Sequence, residues 1–270
     1  MLLLEADCIG GASGRNGGHL NNALAHSFIA AKKALGTERA IALYRAFDQS
    51  TDTPEALIAE EGIDCSFRRA GKLKLASKPV RFDAIARNFE AMHREVDPDT
   101  ALLTGDELKG ELGSPFYGVM LSRKSAMMHT GRFVTGLADA AMRHGAVLVE
   151  NAPVGAIARS GQRHALTTPR GTVKEVLVVT GAYSTPNFRH LPRRIISVGS
   201  FIISTCPPSD GEIASVVPGI RTQVTSMNIG NYFRLLPDRR LIFGGRARFS
   251  ASSDQQSAAR SGAILRTGLG

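Results

Sequence analysis

Short apolar runs that end in an acidic residue or a glycine recur along the chain. Leu2–Leu4 is closed by Glu5, Ala146–Val149 is closed by a second glutamate, and Val176–Val179 runs into a Thr-Gly pair. Runs of this length, bounded in this way, are typical of buried parallel strands. We therefore predict that the three segments are parallel strands of one sheet.

Helical and alternating patterns fill the first half of the chain between these runs. Ala23–Gly62 has a helical composition that Pro54 is expected to kink or break. Lys72–Leu75 alternates polar and apolar residues, which predicts a half-buried strand. Phe82–Val96 carries apolar residues three and four apart, the stripe of an amphipathic helix. After it, a Thr-x-x-Glu capping box that begins at Thr104 predicts a short helix.

The second half predicts one more helix and then mainly antiparallel strands. Thr130 is a suitable N-cap for a helix that Gly145 ends. Ile157–Lys174 has short alternating segments broken by glycines, which predicts a small antiparallel meander. Ser197–Thr205 and Tyr232–Arg248 are expected to be long antiparallel strands, with a Pro-Asp pair as their turn.

Composition excludes several classes of protein. The 270 residues are 43% hydrophobic and 21% charged, as in ordinary globular proteins, and the net charge is +9. The densest basic cluster, Arg189–Arg194, is short and lacks interleaved aromatic residues, so we expect no nucleic-acid partner. No apolar run approaches the ~20 residues of a membrane span, and three scattered cysteines indicate neither disulfides nor a zinc site. We expect a cytoplasmic protein.

The most informative segment is the glycine-rich run Gly10–Gly18, directly after the first strand. Its glycines, with Ser13 and Asn16, let a backbone approach a ligand closely, and Arg15 adds a fixed positive charge suited to an anion. Glu5 stands where dinucleotide-binding folds place the acid that accepts hydrogen bonds from ribose hydroxyls. The alternative is a flexible surface loop, for which Gly, Ser and Asn are also typical.

These residues resemble a known family. Leu2–Asp7 followed by the run Gly11–Gly18 is similar to the second strand and flavin-contact loop of the D-amino-acid oxidase superfamily. The nearest branch is that of gamma-glutamylputrescine oxidoreductase and of glycine- and sarcosine-oxidase-like proteins. Later segments follow in the family's order: Gly131–Val154, Val176–Ser184, Val198–Thr205 and Tyr232–Arg246.

The resemblance implies an α/β fold, α+β overall, in which an incomplete Rossmann-like FAD-binding sheet is interleaved with an antiparallel substrate domain. Residues 1–62 and 127–190 would form the FAD-binding domain, 63–126 and 191–250 the substrate domain, and 251–270 a polar tail. Glu5 would bind the adenosine ribose and Val154 would pair its backbone with adenine. The residues expected along the pyrophosphate and the ribityl chain are Ser13, Arg15, Asn16, Gly17 and Gly18. Thr180 and Gly181 would abut the cofactor.

The activity implied is oxidation of a small amine by hydride transfer to FAD, with oxygen or another acceptor restoring the cofactor. No residue is nominated as a catalytic base. His19 and His129 are expected to be ordinary polar residues. Tyr232 and Arg234 are expected to be strand residues, the latter with an exposed charge.

One part of the family's pattern is missing. No G-x-G-x-x-G occurs in the 270 residues, whereas the family carries this fingerprint before the ribose-binding acid. The resemblance also stops near Ser250. We therefore expect Met1 to be an internal start and Gly270 an early stop, and we expect the chain by itself to hold little FAD.

Two other classes of function make different demands on the sequence. A short-chain dehydrogenase needs Tyr followed four residues later by Lys, and none of the four tyrosines meets this requirement. A non-catalytic remnant of an oxidase, or a fragment that binds a partner through an open sheet edge, stays open.

Overall fold

The computed structural model describes residues 1–161, 163–169, 171–174, 193–195, 199–227 and 230–248. The helices in this part of the chain are α1 (Gly11–Gly14), α2 (Phe28–Leu35), α3 (Thr37–Gln49), α4 (Asp52–Glu61), α5 (Pro79–Glu95), α6 (Gly105–Lys109), α7 (Thr130–Arg143) and α8 (Asp210–Val216). The strands are β1 (Leu2–Leu4), β2 (His19–Leu20), β3 (Lys72–Leu75), β4 (Ala101–Leu103), β5 (Val119–Ser122), β6 (Ala126–Met127), β7 (Val147–Val149), β8 (Ala156–Ser160), β9 (Arg163–Thr168), β10 (Gly171–Lys174), β11 (Gly199–Ser204), β12 (Thr222–Thr225), β13 (Tyr232–Leu235) and β14 (Leu241–Arg248).

The largest sheet of this mixed α/β fold has seven strands in the order β11-β14-β13-β12-β3-β5-β4. Its neighbours are antiparallel except for β12 and β3, which are parallel. Its strands come from residues 72–122 and 199–248, so two distant stretches of the chain meet at β3 and β12. The division into two interleaved domains stays a prediction.

Apolar and polar residues alternate along several of these strands, so the two faces of the seven-stranded sheet differ. One face carries the main apolar core, in which Leu73, Leu121 and Phe233 are almost fully buried beneath α6, α8 and the loops that follow them. The opposite face carries polar residues at alternate positions, including Lys72, Lys74, Tyr232 and Arg234 on β3 and β13. We call this second surface the cationic face.

The parallel pairing predicted for two of the apolar runs is confirmed. Leu2–Leu4 pairs with Val147–Val149 in parallel, residue for residue. The third run, Val176–Val179, lies outside the described residues. The predicted meander is also confirmed, because β8, β9 and β10 form an antiparallel three-stranded sheet.

The stretch Ala23–Gly62, predicted to be largely helical with a kink or break at Pro54, contains the three helices α2 to α4. The first break falls at Gly36, whose φ of 83° only glycine adopts readily. The second falls at Ser50 and Thr51. Pro54 breaks nothing, because it lies in the first turn of α4, where the N–H that proline lacks has no helical partner to lose. With α5, helices α2 and α3 bury Phe28 and Tyr44 against the β4 and β5 end of the cationic face.

Two predicted helix starts need correction. His129, not Thr130, is the N-cap of α7, and its Nδ1 atom accepts a hydrogen bond from the Arg132 N–H at 3.3 Å. Thr104 does precede α6, but its side chain makes no capping bond. Tyr232–Arg248 is two strands, since the Pro237-Asp238 turn falls inside it.

Candidate functional site

The glycine-rich segment Gly10–Gly18 follows the β1 strand and forms a tight turn around the single-turn helix α1. The Gly14 N–H donates to the Gly10 carbonyl at 2.7 Å. Gly10 and Gly11 have φ values of 139° and 43°, and a Cβ atom at either position would meet no atom within 4 Å. Open space therefore lies beside this backbone, as a ligand-binding segment requires.

The polar side chains predicted to face a cofactor divide into two groups. Asn16 turns back on the segment: its Nδ2 donates to the Ser13 carbonyl at 2.8 Å, and its Oδ1 accepts from the Gly18 N–H at 3.0 Å. Asn16 thus fixes the turn. Ser13 and Arg15 are exposed, although Arg15 Nε donates to the Gly11 carbonyl at 3.1 Å.

Gly17 and Gly18 are buried against neighbouring elements. A Cβ atom at Gly17 would lie 2.6 Å from Tyr232 Cε2, and one at Gly18 would lie 2.1 Å from the Met128 carbonyl oxygen. Gly18 also has a φ of +66°. Only glycine at these two positions allows the segment to lie this close to the sheet.

Arg234 connects the glycine segment to the sheet. Its Nε donates to the Gly17 carbonyl at 2.6 Å and its Nη2 to the Met128 carbonyl at 2.7 Å. The expectation of an exposed charge was wrong: Arg234 is 3% exposed, and burial lowers its pKa to about 10. The error has a physical reason, because a guanidinium can be buried when carbonyl oxygens accept its protons.

Three cations share the cationic face: Lys72, Lys74 and Arg234. Among the described residues, none of them forms an ion pair with a carboxylate. Burial, followed by the charge of Lys74, lowers the pKa of Lys72 to about 8, although Asp48 acts in the opposite direction. Burial also lowers the pKa of Lys74. This face therefore presents a positive potential to whatever lies on it.

His19 directly follows the glycine segment and packs on Tyr232 of this face. Its ring packs edge-to-face on Tyr232 with centroids 5.3 Å apart, and its buried Nε2 atom has no hydrogen-bond partner among the residues that the structure describes. Burial, then the charges of Arg234 and Lys72, lowers its pKa to about 3. A basic nitrogen at this position is thus held neutral.

Glu5 directly follows β1, and the stretch that leads to Val154 follows its parallel partner β7. The Ala152 N–H donates to the Glu5 carbonyl at 2.9 Å, so the stretch that leads to Val154 runs beside Glu5. The Glu5 carboxylate accepts from the Ala6 N–H at 2.9 Å. The structure therefore places Glu5 beside the stretch that leads to Val154, and the assignment of both residues to the adenosine half of a cofactor stays a prediction.

Two anchors of the glycine segment were missed by the sequence analysis. Glu150 Oε1 accepts from the Ile9 N–H at 2.6 Å and holds the start of the segment. Thr130 Oγ1 donates towards the carbonyls of Gly14 and Asn16 at 3.2 and 3.3 Å and holds its end. Glu150 closes an apolar run as Glu5 does, and this similarity was the only signal that pointed to it.

Other predicted features lie elsewhere or outside the described residues. Thr180 and Gly181 fall outside them, and so does the expected contact between Gly10–Gly18 and Val176–Thr180. In the part of the chain that the structure describes, no group of His, Cys, Asp and Glu could hold a metal ion, and all three cysteines are free. Every helix found there falls short of the length and hydrophobicity that a membrane span requires.

Comparison with known proteins shows which of them this chain is similar to. It is 28% identical over 253 residues to the probable oxidoreductase OrdL of Haemophilus influenzae, covering 90% of this chain and 58% of that protein. It is 27% identical over 256 residues to the gamma-glutamylputrescine oxidoreductase of Escherichia coli, covering 93% of this chain and 60% of that protein. The chain thus spans about three fifths of the length of these curated relatives.

Solved structures share the fold. Glycine oxidase from Geobacillus kaustophilus superposes with a TM-score of 0.70 at 20% identity, over 97% of this chain and 70% of that chain. L-proline dehydrogenase from P. horikoshii superposes with a TM-score of 0.75 at 17% identity, over 99% of this chain and 70% of that chain.

The family model described as FAD dependent oxidoreductase matches residues 1–268. This match continues past Ser250, where the resemblance drawn from the sequence alone had stopped. Because the match covers nearly the whole chain, the chain belongs to the FAD-dependent oxidoreductase family named DAO.

Proposed function

We propose that this chain oxidises a primary or secondary amine, either gamma-glutamylputrescine or an amino-acid-like molecule, as part of an FAD-dependent oxidoreductase. The observation that carries the proposal is the junction between the glycine segment and the cationic face, where Arg234 binds the Gly17 carbonyl. In a family that uses FAD, this junction supplies both a segment that a cofactor can approach and a surface on which a substrate can lie.

The described residues fit FAD at two places. Glu5, with its carboxylate at the end of β1, would accept hydrogen bonds from the ribose, and the backbone of Val154 would meet the adenine edge. Beside the open space at Gly10 and Gly11, the exposed Ser13 hydroxyl and the Arg15 guanidinium would contact the phosphates or the ribityl chain. Asn16, Gly17 and Gly18 would hold the segment in the conformation that allows these contacts. Thr180 and Gly181 keep their proposed place next to the cofactor.

The cationic face would select the reactive form of the substrate. FAD, when bound, would supply an acceptor for the hydride from the carbon next to the amine nitrogen, a transfer that requires the nitrogen lone pair to be free. Burial first, and then the charges of Arg234 and Lys72, disfavour an additional positive charge at His19 and lower its pKa. An amine held next to His19 would therefore lose its proton, and the product imine would form as the C–H bond breaks.

Anaerobic reduction tests this function. The protein at its full natural length, loaded with FAD, is mixed with gamma-glutamylputrescine, with glycine, and with an alcohol of matched length. We expect an amine, and not the alcohol, to bleach the absorption of the oxidised flavin. Tightly bound FAD that no amine reduces would contradict the proposal and favour a non-catalytic binding protein.

A further inference from the structure

A pocket lies on the cationic face, away from the glycine segment. Its volume is about 140 Å³. Two cations and three hydrogen-bonding side chains contribute to its wall, which includes no carboxylate from the described part of the chain. Those residues are Lys74, Arg81, Ser27, Asn88 and Ser226.

The polar atoms of this pocket are suited to an anion. Among the described residues, Lys74 has no ion pair and Ser226 Oγ is buried without a hydrogen-bond partner. Asn88 Nδ2 donates to the Met92 sulfur at 3.1 Å, and a thioether is a weak acceptor. A buried oxygen anion would give these donors a stronger partner than they have in the protein.

The pocket and the glycine segment lie along one row of the sheet. Tyr232, which packs against Gly17, pairs with Val224. Val224 pairs with Lys74, and Lys74 pairs with Met120 at the pocket. Two strand spacings of ~4.8 Å separate Tyr232 from Lys74, so the two places are about 10 Å apart. One elongated molecule can reach both.

We infer that this pocket binds the carboxylate at the far end of the substrate, so that the protein selects amines that carry an acidic group about 10 Å from the reacting carbon. This inference rests on the proposed amine oxidation and adds a specificity site to it. Lys74 and Arg81 would form charge-assisted hydrogen bonds with the carboxylate, and the buried Ser226 hydroxyl would donate a third.

A matched pair of substrates tests this site. Both are amides of 1,4-diaminobutane: one carries a glutaric acid chain with a free carboxylate, and the other carries a pentanoyl chain with a methyl group in its place. In wild-type protein we expect kcat/KM to favour the acid. Lys74→Met should lower that preference about tenfold, the value of one charge-assisted hydrogen bond. Lys33→Met, an exposed position on the neighbouring helix α2, should leave the preference unchanged. A Lys74→Met variant that retains the full preference would overturn the assignment.

A binding measurement separates this inference from the proposed function. Pentanoate alone is titrated into wild-type and Lys74→Met protein and followed by calorimetry, with thermal melting used to verify that the variant is folded. If no amine is oxidised but pentanoate binds only when Lys74 is present, the proposed function fails and the carboxylate site stands. If pentanoate binds neither protein, binds both equally, or binds more weakly than inorganic phosphate, the site assignment is wrong.

Discussion

At the scale of single residues, Arg234 determines how the glycine segment and the sheet fit together. One guanidinium satisfies two buried carbonyls that belong to different parts of the chain, Gly17 and Met128. An unsatisfied buried carbonyl costs about 1–3 kcal/mol, and loss of this side chain would leave both carbonyls unsatisfied. No carboxylate in the described ranges pairs with Arg234, so its positive charge acts on the site.

Arg234→Gln should therefore lower the free energy of unfolding by about 2–5 kcal/mol, because the shorter amide cannot reach both carbonyls. Arg234→Lys should recover only part of the loss, since an ammonium lacks the forked geometry. Urea denaturation measures the effect. Arg87→Gln, an exposed position on α5, serves as the control and should change stability by less than about 0.5 kcal/mol. Equal effects at Arg234 and Arg87 would refute the role given to Arg234.

The lowered pKa of His19 predicts that the stability of the protein depends on pH. Its pKa is about 3 in the folded protein and 6.5 as an ordinary histidine, so between these values the unfolded chain binds the additional proton. Stability should therefore fall as the pH decreases from about 6.5 towards 3, by roughly 1 kcal/mol per pH unit from this residue. His19→Gln removes the titration and should flatten this slope in urea melts at several pH values. An unchanged slope would show that the ring is protonated in the folded state.

At the scale of elements, the close packing of the glycine segment on the sheet can be tested at Gly18. Gly18→Ala places a Cβ atom at a φ of +66°, 2.1 Å from the Met128 carbonyl oxygen. Gly62→Ala is a matched control, because Gly62 has a φ of +65° and no atom within 4 Å of a Cβ. The control should cost about 1 kcal/mol and Gly18→Ala at least ~2 kcal/mol more, measured by urea denaturation. Equal costs would mean that the segment moves freely away from the sheet.

Elements with local signals were predictable from the sequence. The strands of the β1–β7 pair, the meander and the glycine segment can each be recognised from a pattern within a short stretch of sequence. Lys72–Leu75 was correctly predicted as a strand, but the prediction that it is half-buried was wrong. Lys72 is only 8% exposed, and its charge acts on His19 and on Asp48, which come from distant parts of the chain. A local sequence pattern cannot predict burial that depends on distant parts of the chain.

The burial of Arg234 and the pairing of β3 with β12 could not be predicted for a related reason. Both depend on contacts between residues far apart in the sequence. Helix α8 is different: Ser209 and Glu212 form a capping box that was readable in the sequence and was not recognised.

At the scale of the whole molecule, the polypeptide 1–270 expressed by itself should carry little FAD. It contains no G-x-G-x-x-G for the pyrophosphate, and the contacts at Glu5 and Val154 amount to a few hydrogen bonds of about 1 kcal/mol each. Leu2 and Leu3 on β1 are 40% and 43% exposed, so we also expect self-association. The visible spectrum and light scattering of the purified protein measure both. A yellow, monodisperse protein would show that these residues suffice to bind the cofactor.

The parallel junction of β3 and β12 also has a consequence for synthesis. A ribosome that adds 5–20 residues per second completes β3 on the order of ten seconds before β12, some 150 residues later, can join it. Throughout that interval β3, an interior strand of the finished sheet, has one edge without its native partner, and the cationic face lacks β13 with Arg234. The nascent chain therefore offers chaperones a defined hydrophobic edge, and a pause in translation between the two strands would lengthen the time during which the unfinished sheet is open to misfolding.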